Sequence, residues 1–343
     1  MIEILSSGAA NLVQDQGRSG LLHLGISRSG AMDGLALSCA NLLAGNPANA
    51  AGLEIAMFPF KLRFLGDVRF ACTGADAELR LDGEVLPPWW SGQARNGQVL
   101  TLGLPRTGAR AYLAFAGGID VPVVLGARAT DHKTGFGGLA GRGLKRLDRL
   151  SLKAAGEGPA IRGGDVGCVP AGLPAFWREL ASGCVTLRVL PAAQYAQFTA
   201  ESRRILVEAA WQVTRDVNRQ GYRLAGSEAL RLAEPLELLS HGIVPGTVQV
   251  PPAGQPIIQL AEANTCGGYP KIATVIEPDL WRLGQVPSGC AVRFEPVTAE
   301  TAESIWRAQD AELARLSQCI APMARRAASV SYTHLRAHET SLH

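Results

Sequence analysis

Short apolar-rich runs, several of them alternating apolar and polar positions with a period of two, recur along the chain: Lys61–Leu65, Val68–Thr73, Ala77–Leu81, Val99–Leu102, Ala109–Phe115, Val185–Leu190, Val248–Val250 and Ile257–Leu260. Glycine and proline separate these runs, which is the pattern of short, half-buried strands joined by turns. Helical spacing is confined to four segments, Asp33–Ala44, Pro174–Ala181, Pro278–Leu283 and Ala299–Ser317. Asp33 stands where an N-cap is needed, and Gly45 falls just past the end of the first segment. In the last segment Ala302, Ile305, Trp306, Leu313 and Leu316 fall on one stripe, the mark of a core-docking face. The pattern predicts a mainly β protein with a few covering helices. The Gly/Pro-rich run from Gly156 to Pro174 interrupts it and predicts a boundary between two β units. The polar segments Gln14–Gly20 and Val217–Leu224 echo each other across that boundary.

Composition narrows the class. Of the 343 residues, 47% are apolar and 18% charged, enough to fill a large core and too apolar for a disordered chain. The formal net charge is only +3, without the concentrated basic face that nucleic-acid binding requires. Two long uncharged stretches, Leu35–Leu53 and Gly242–Ala261, contain asparagines, prolines and glutamines that a bilayer helix would not tolerate, so no membrane partner is expected. Seven scattered cysteines without a Cys-x-x-Cys pair suit reduced thiols, and no histidine cluster precedes the tail, so no metal site is expected. The N-terminus shows no export signal, which makes the cytoplasm the expected location. Residues 321–343 form a tail, and Ser329–His343 departs so far from the preceding composition that it reads as non-native sequence.

Three polar clusters could carry chemistry. Gly135–Ala140 and Lys133-Thr134 imitate nucleotide-binding loops but lack the flanking strand and helix, or the glycine before the lysine, that those loops need. The first real cluster places Asp15, Arg18, Arg28 and Asp33 among four glycines, where they either clamp an anion or pair with one another. The second, Gly126–Arg142, contains Arg128 and Asp131 and is either an anion-handling loop or a solvated hairpin. In the third, Gln249, Glu262, Thr265, Gly267, Gly268, Tyr269 and Lys271 interrupt strand-like sequence. Buried amides and hydroxyls are costly without partners, so this string points to a polar cleft or, in the plainer reading, to a ladder at a sheet edge. Glu262 and Lys271 are the acid–base or electrostatic candidates. Tyr269 and Thr265 are candidate donors to an oxyanion, and Gly267-Gly268 supply backbone amides. If the Gly267-Gly268 turn reverses a hairpin, Glu262 and Lys271 face one cleft.

Taken in order, the segments Val13–Arg18, Gly25–Asp33, Ala40–Asn46 with Leu53-Glu54, Tyr112–Gly118, Leu125–Asp131, Gly221–Leu224, Gly246–Pro251 and Thr265–Ala273 resemble the carboxyltransferase A/B family. This family is also described as allophanate hydrolase subunit 2-like, as kinase-inhibitor antagonists, or as the C subunits of 5-oxoprolinases. Ala127, Ala129, Gln220, Glu262, Asn264 and Cys266 depart from its usual residues. The resemblance implies two cyclophilin-like β-barrel subdomains in tandem: subdomain A over residues 1–160, a linker over 161–184, and subdomain B with a C-terminal helix over 185–320. It implies a subunit of an ATP-dependent 5-oxoprolinase; of the residues singled out above from the polar clusters, Glu262, Lys271, Tyr269 and Thr265 are the catalytic candidates. Asp15, Arg18, Asp33, Arg128, Asp131, Gln249, Gly267 and Gly268 would bind substrate. The implied partners are a kinase-inhibitor-like carboxyltransferase C/D subunit and a LamB/YcsF-like subunit, with ATP and Mg²⁺ held by an unspecified subunit. The alternatives it leaves open are a carboxyltransferase subunit of a biotin-dependent urea-type carboxylase, using carboxybiotin, and a non-catalytic antagonist of a sensor-kinase inhibitor.

Overall fold

A computed structural model of the chain describes residues 1–154 and 165–339. Alternation dictates the first β unit: in Phe60–Phe64 the aromatic and leucine side chains are buried while Lys61 and Arg63 point to solvent. Nine strands form one curled sheet. Its main path runs Leu12–Gln14, Gly52–Ile55, Val99–Phe115, Phe60–Phe64, Ile2–Ser6, Arg149–Leu150. Val68–Leu81 lies along Val99–Phe115 and carries Glu84–Leu86 and Trp90–Ala94 on its other side. Ile2, Ile4, Phe60, Leu62, Phe64, Phe70 and Phe115 fill the concave face.

The second unit is a closed seven-stranded barrel, in the order Cys184–Pro191, Lys271–Val275, Thr247–Gln249, Ile257–Gln259, Gly221–Ala225, Trp211–Val217, Ala291–Pro296. The last of these strands pairs in parallel with the first, closing the cylinder. The small ladder His241–Gly242 with Cys266–Gly267 sits outside it. The fold is thus mainly β, as the alternation predicts, with one sheet closed into a barrel and the other curled but open.

Helix Gly34–Ala44 joins the two units. Asp33 caps it, its carboxylate accepting from the Ala36 N–H at 2.8 Å, and Gly45 ends it in the left-handed region at φ 85°. Every residue from Leu35 to Ala44 is buried, as a helix apolar but for Ser38 and Asn41 must be, and both of those are hydrogen-bonded. Although it precedes most of the sheet in sequence, it packs into the same core as Trp211, Tyr222 and Phe294 of the barrel.

Three details differ from the sequence pattern. Val68–Leu81 and Val99–Phe115 are each continuous where glycine and proline suggested breaks. The register between them shifts near Gly74, Asp76 and Ala77, and Pro105 lies opposite Ala77, so these residues mark irregularities within the ladder rather than its ends. A helix at Ala200–Glu208 carries no visible stripe, because only Ser202, Ile205 and Leu206 of it are buried; its signal was the Thr199 cap, which accepts from Ser202 N–H at 3.0 Å. The final helix extends over Ala299–Glu339, well beyond Ser317. Of its predicted stripe, Ala302 and Leu316 are buried while Trp306 is 49% exposed. The helix expected at Pro174–Ala181 is present as Leu173–Ala181, inside the segment 161–184 read as a linker, where Ser91 also accepts from the Val166 N–H. Among the described residues no helix is long and apolar enough to cross a membrane.

Ile320 is the last buried side chain described on the final helix, so removing Ser329–His343 is expected to leave thermal stability unchanged. A melting temperature lowered by more than about 4 °C, roughly 1 kcal/mol or more for a chain of this size, would show that the tail docks.

Candidate functional site

The antiparallel register sets Glu54 opposite Tyr112. The Tyr112 hydroxyl therefore donates to Glu54 Oε2 at 2.8 Å, and the Met32 N–H donates to the same oxygen at 2.8 Å. Glu54 Oε1 accepts from Arg219 Nη1 at 2.5 Å, across from the turn between two barrel strands. Arg219 Nε then donates to Glu262 Oε1 at 2.6 Å, and its Nη2 to the Gly30 carbonyl. Arg110 flanks Glu54 with Nε 3.9 Å from Oε1, while its Nη1 donates to the Tyr222 hydroxyl at 2.9 Å and the Gly284 carbonyl at 2.6 Å. All four charged residues are buried. Burial by itself would raise the Glu54 pKa, but Arg219, Arg110 and the Met32 and Tyr112 donors hold it below the ordinary carboxylate value. Burial would likewise depress Arg219, and its two carboxylate neighbours raise it instead.

This relay forms one wall of a cavity of about 650 Å³ between the curled sheet and the barrel. His132 and Lys133 reach it from the sheet side; Asn218, Gln220 and Tyr222 line it from the barrel side. Three fixed cations, Arg110, Lys133 and Arg219, thus face two carboxylates, Glu54 and Glu262. A smaller cavity of about 280 Å³ shares Asn218 and Gln220 with it and continues past Gln249, Gln259 and Gly267. Lys133 Nζ bridges the units by donating to Asn264 Oδ1.

The residues nominated from sequence are distributed as follows. Gln249, Gly267, Gly268 and Tyr269 come together in the smaller cavity, and Glu262 lines the larger one. Lys271 lines neither. Gly267 belongs to the outer ladder rather than to a reversing turn, so Lys271 enters the next strand turned towards His241. Its Nζ lies 2.6 Å from His241 Nε2 and 3.3 Å from the Gly267 carbonyl. His241 Nδ1 is 3.0 Å from the Leu239 carbonyl, which suits the tautomer protonated at Nδ1 with Nε2 accepting from the lysine. Desolvation lowers the Lys271 pKa. Thr265 lies outside both cavities, and its carbonyl accepts from the Ile243 N–H.

The acidic and basic residues of the two N-terminal clusters organise loops. Asp15 accepts from the N–H groups of Gly17 at 2.8 Å and Arg128 at 2.5 Å. Arg18 donates to the carbonyls of Ala129 and Val124 and stacks on Phe136. Asp131 accepts from Ser27 Oγ at 2.6 Å, Ser29 Oγ at 3.2 Å and the Thr134 N–H at 2.9 Å; burial pushes its pKa up, and these donors bring it below the ordinary value. Asp33 holds the helix cap and also accepts from Gln285 Nε2 at 2.7 Å. Its complete burial outweighs those donors and lifts its pKa from an ordinary 3.8 to about 7. Among the described residues no group of three His, Cys, Asp or Glu side chains is placed to hold a metal ion.

Arg110, Arg219 and His241 were missed as site residues. Arg110 left a trace, a charge at an alternating position inside the strand run Ala109–Phe115. Arg219 left only its place in the segment echoing Gln14–Gly20, since its carboxylate partners lie 165 and 43 residues away.

Residues 24–296 match the family model described as the carboxyltransferase domain, subdomain A and B. The chain is 43% identical over 303 residues to the C subunit of 5-oxoprolinase from Escherichia coli, covering 88% of this chain and 93% of that one. It is 37% identical over 320 residues to the protein of the same name from Haemophilus influenzae, covering 93% and 99%. Its fold is similar to a region of the solved K. lactis urea amidolyase, with a TM-score of 0.82 and 27% identity, over 92% of this chain and 20% of that much longer one.

Removing one member of a buried charge relay strands the others, so Arg219→Met is expected to lower unfolding free energy by about 3–5 kcal/mol in urea titrations. Asp33 generates a pH dependence. Its folded carboxyl keeps a proton that the unfolded one loses between pH 3.8 and about 7, so its contribution is fully present at the acid end and lost as pH rises through that window. The stability difference between the chain and Asp33→Asn is therefore expected to narrow from about pH 4 to about pH 7. A difference that stays constant or widens over that range would refute this assignment.

Proposed function

The chain belongs to the carboxyltransferase family of subdomains A and B, and from that premise we propose that it is a subunit of an ATP-dependent 5-oxoprolinase, opening the lactam of 5-oxoproline to glutamate. The observation that carries this reading is the near full-length likeness to two proteins named as the C subunit of 5-oxoprolinase. The charge of the larger cavity agrees with it. With two of three fixed cations balanced by carboxylates, one positive charge remains for a substrate bearing a single carboxylate. The same wall does not fit a triphosphate, which needs several cations or a cradle of backbone amides. The reading accordingly gives ATP and its Mg²⁺ to another subunit.

In this reading Lys133 and Arg110 hold the substrate carboxylate. Glu262, oriented by Arg219, moves a proton at the lactam, and Lys271 supplies positive potential behind the Gly267 backbone. Tyr269 assists as a donor from the smaller cavity, and Thr265, outside both cavities, takes no part. Asp15, Arg18, Asp33, Arg128 and Asp131 act by fixing the loops and helix that frame the cleft. The cavity opens between two units of one chain, and the partners proposed to complete it are a kinase-inhibitor-like carboxyltransferase C/D subunit and a LamB/YcsF-like subunit.

The likeness to urea amidolyase supports a second reading, a carboxyltransferase subunit accepting carboxybiotin from a partner. Carboxyl transfer to urea, without glutamate release, would select it.

The test is ATP-dependent glutamate release from 5-oxoproline, expected to be absent with the chain alone and present once both partners are added. Turnover by the chain alone would overturn the subunit reading. In the complex, Glu262→Gln, which keeps an acceptor for Arg219 but removes its charge and so lowers the melting temperature, and Lys271→Met are each expected to lower turnover about 10²-fold while circular dichroism at the assay temperature shows the fold retained. Unchanged kinetics in both would move the site to the Asp15/Arg18 and Arg128/Asp131 loops.

A further inference from the structure

The smaller cavity contains a donor with nothing to bond. Gln249 is 4% exposed, and its Oε1 accepts from Gln259 Nε2 at 2.8 Å. That bond fixes which way the amide faces, and it leaves Nε2 buried with no partner among the described residues. An orphaned buried N–H₂ is a standing cost that an acceptor brought by a ligand would remove.

Gly267 stands against it. A Cβ added at that residue would lie 3.0 Å from Gln249 Nε2 and 2.8 Å from Ile243 Cδ1. The Gly267 backbone is not in the left-handed region, so what the position requires is space rather than conformational freedom. The space it leaves opens directly in front of the unpaired donor. Gln220, shared with the larger cavity, brings a second amide to the same wall.

We propose that this cavity is a carbonyl-recognition subsite for a small planar cyclic amide or cyclic urea, whose carbonyl oxygen accepts from Gln249 Nε2 while its ring occupies the space beside Gly267. Gln249 is then a specificity-determining residue, selecting an acceptor at that point, and Gly267 limits ring size. The wall carries five side-chain amides, with the opposite charges of Asp216 and Arg223 beside them, matching the donor and acceptor pattern of such a ring, and its volume of about 280 Å³ suits a small ring. The choice of ring class rests on the proposed lactam-opening reading; the orphaned donor and the glycine gap do not.

The experiment is nitrogen-edited NMR of the full chain titrated with two probes, 2-pyrrolidinone for the lactam arm and 2-imidazolidinone for the cyclic-urea arm. It follows the side-chain NH₂ pair that disappears in Gln249→Glu. That pair is expected to shift saturably, and the tighter probe identifies the ring class. Ligand-observed saturation transfer is expected to show binding weakened at least tenfold in Gln249→Glu, which replaces the donor by an acceptor, and in Gly267→Ala, which fills the gap. Circular dichroism melts identify any variant that has merely lost its fold, and either variant alone suffices. Absence of a saturable shift with both probes, or binding unchanged in both folded variants, overturns the subsite. The two proposals fail separately. An assembled complex without oxoprolinase activity whose Gln249 still responds to a probe keeps the subsite and loses the reaction. An active complex with no Gln249-dependent binding does the reverse.

Discussion

Two carboxylates and two guanidinium groups cannot be taken out of water unless each meets its opposite, and in this chain they meet only where the sheet touches the barrel. Glu54 and Arg110 come from neighbouring strands of the sheet, and Arg219 and Glu262 from the barrel side. Isolated ions of this kind would cost several kcal/mol each to bury. The sheet and the barrel are therefore held in one arrangement, because displacement of either would leave buried charge unmatched. Tyr112 and Met32 extend the constraint to the start of helix Gly34–Ala44, whose Asp33 cap is bonded through Gln285 to the backbone of Arg110. The cavity walls inherit their geometry from this chain of contacts.

The neighbouring cavities divide their chemistry accordingly. Paired ions line one, where the local potential orients anything negative. Amide side chains predominate in the other, beside the opposite charges of Asp216 and Arg223, and there shape and hydrogen-bond complementarity decide more. Asn218 and Gln220 belong to both, so a molecule with a charged end and a neutral polar end could span them.

Much of the fold was legible because it depends on short-range pattern. Lys61 and Arg63 between Phe60, Leu62 and Phe64 announce a one-sided strand, and Asp33 with Gly45 brackets a helix. Pro105 misled because a proline opposite an irregular register can stay inside a long strand. Ala200–Glu208 was hidden because so little of it is buried. The candidate site was legible only in part. Gly267, Gly268 and Tyr269 are adjacent in sequence, and Gln249, in the same polar segment, meets them in space. Asp15 and Asp131, chosen for their charge, face backbone amides and serine hydroxyls. Arg110 and Arg219 matter through carboxylates distant in sequence, and no local window contains such a pair.

The barrel closes by laying Ala291–Pro296 parallel to Cys184–Pro191. Its first strand thus waits for a partner more than a hundred residues further on, and the other barrel strands are made in between. On a ribosome the cylinder must remain an open, sticky-edged sheet until nearly the whole family-matched region has emerged. The curled sheet can form earlier, since every one of its strands has been synthesised by Leu150. Nascent chains of this protein should therefore depend on chaperones most during synthesis of their second half.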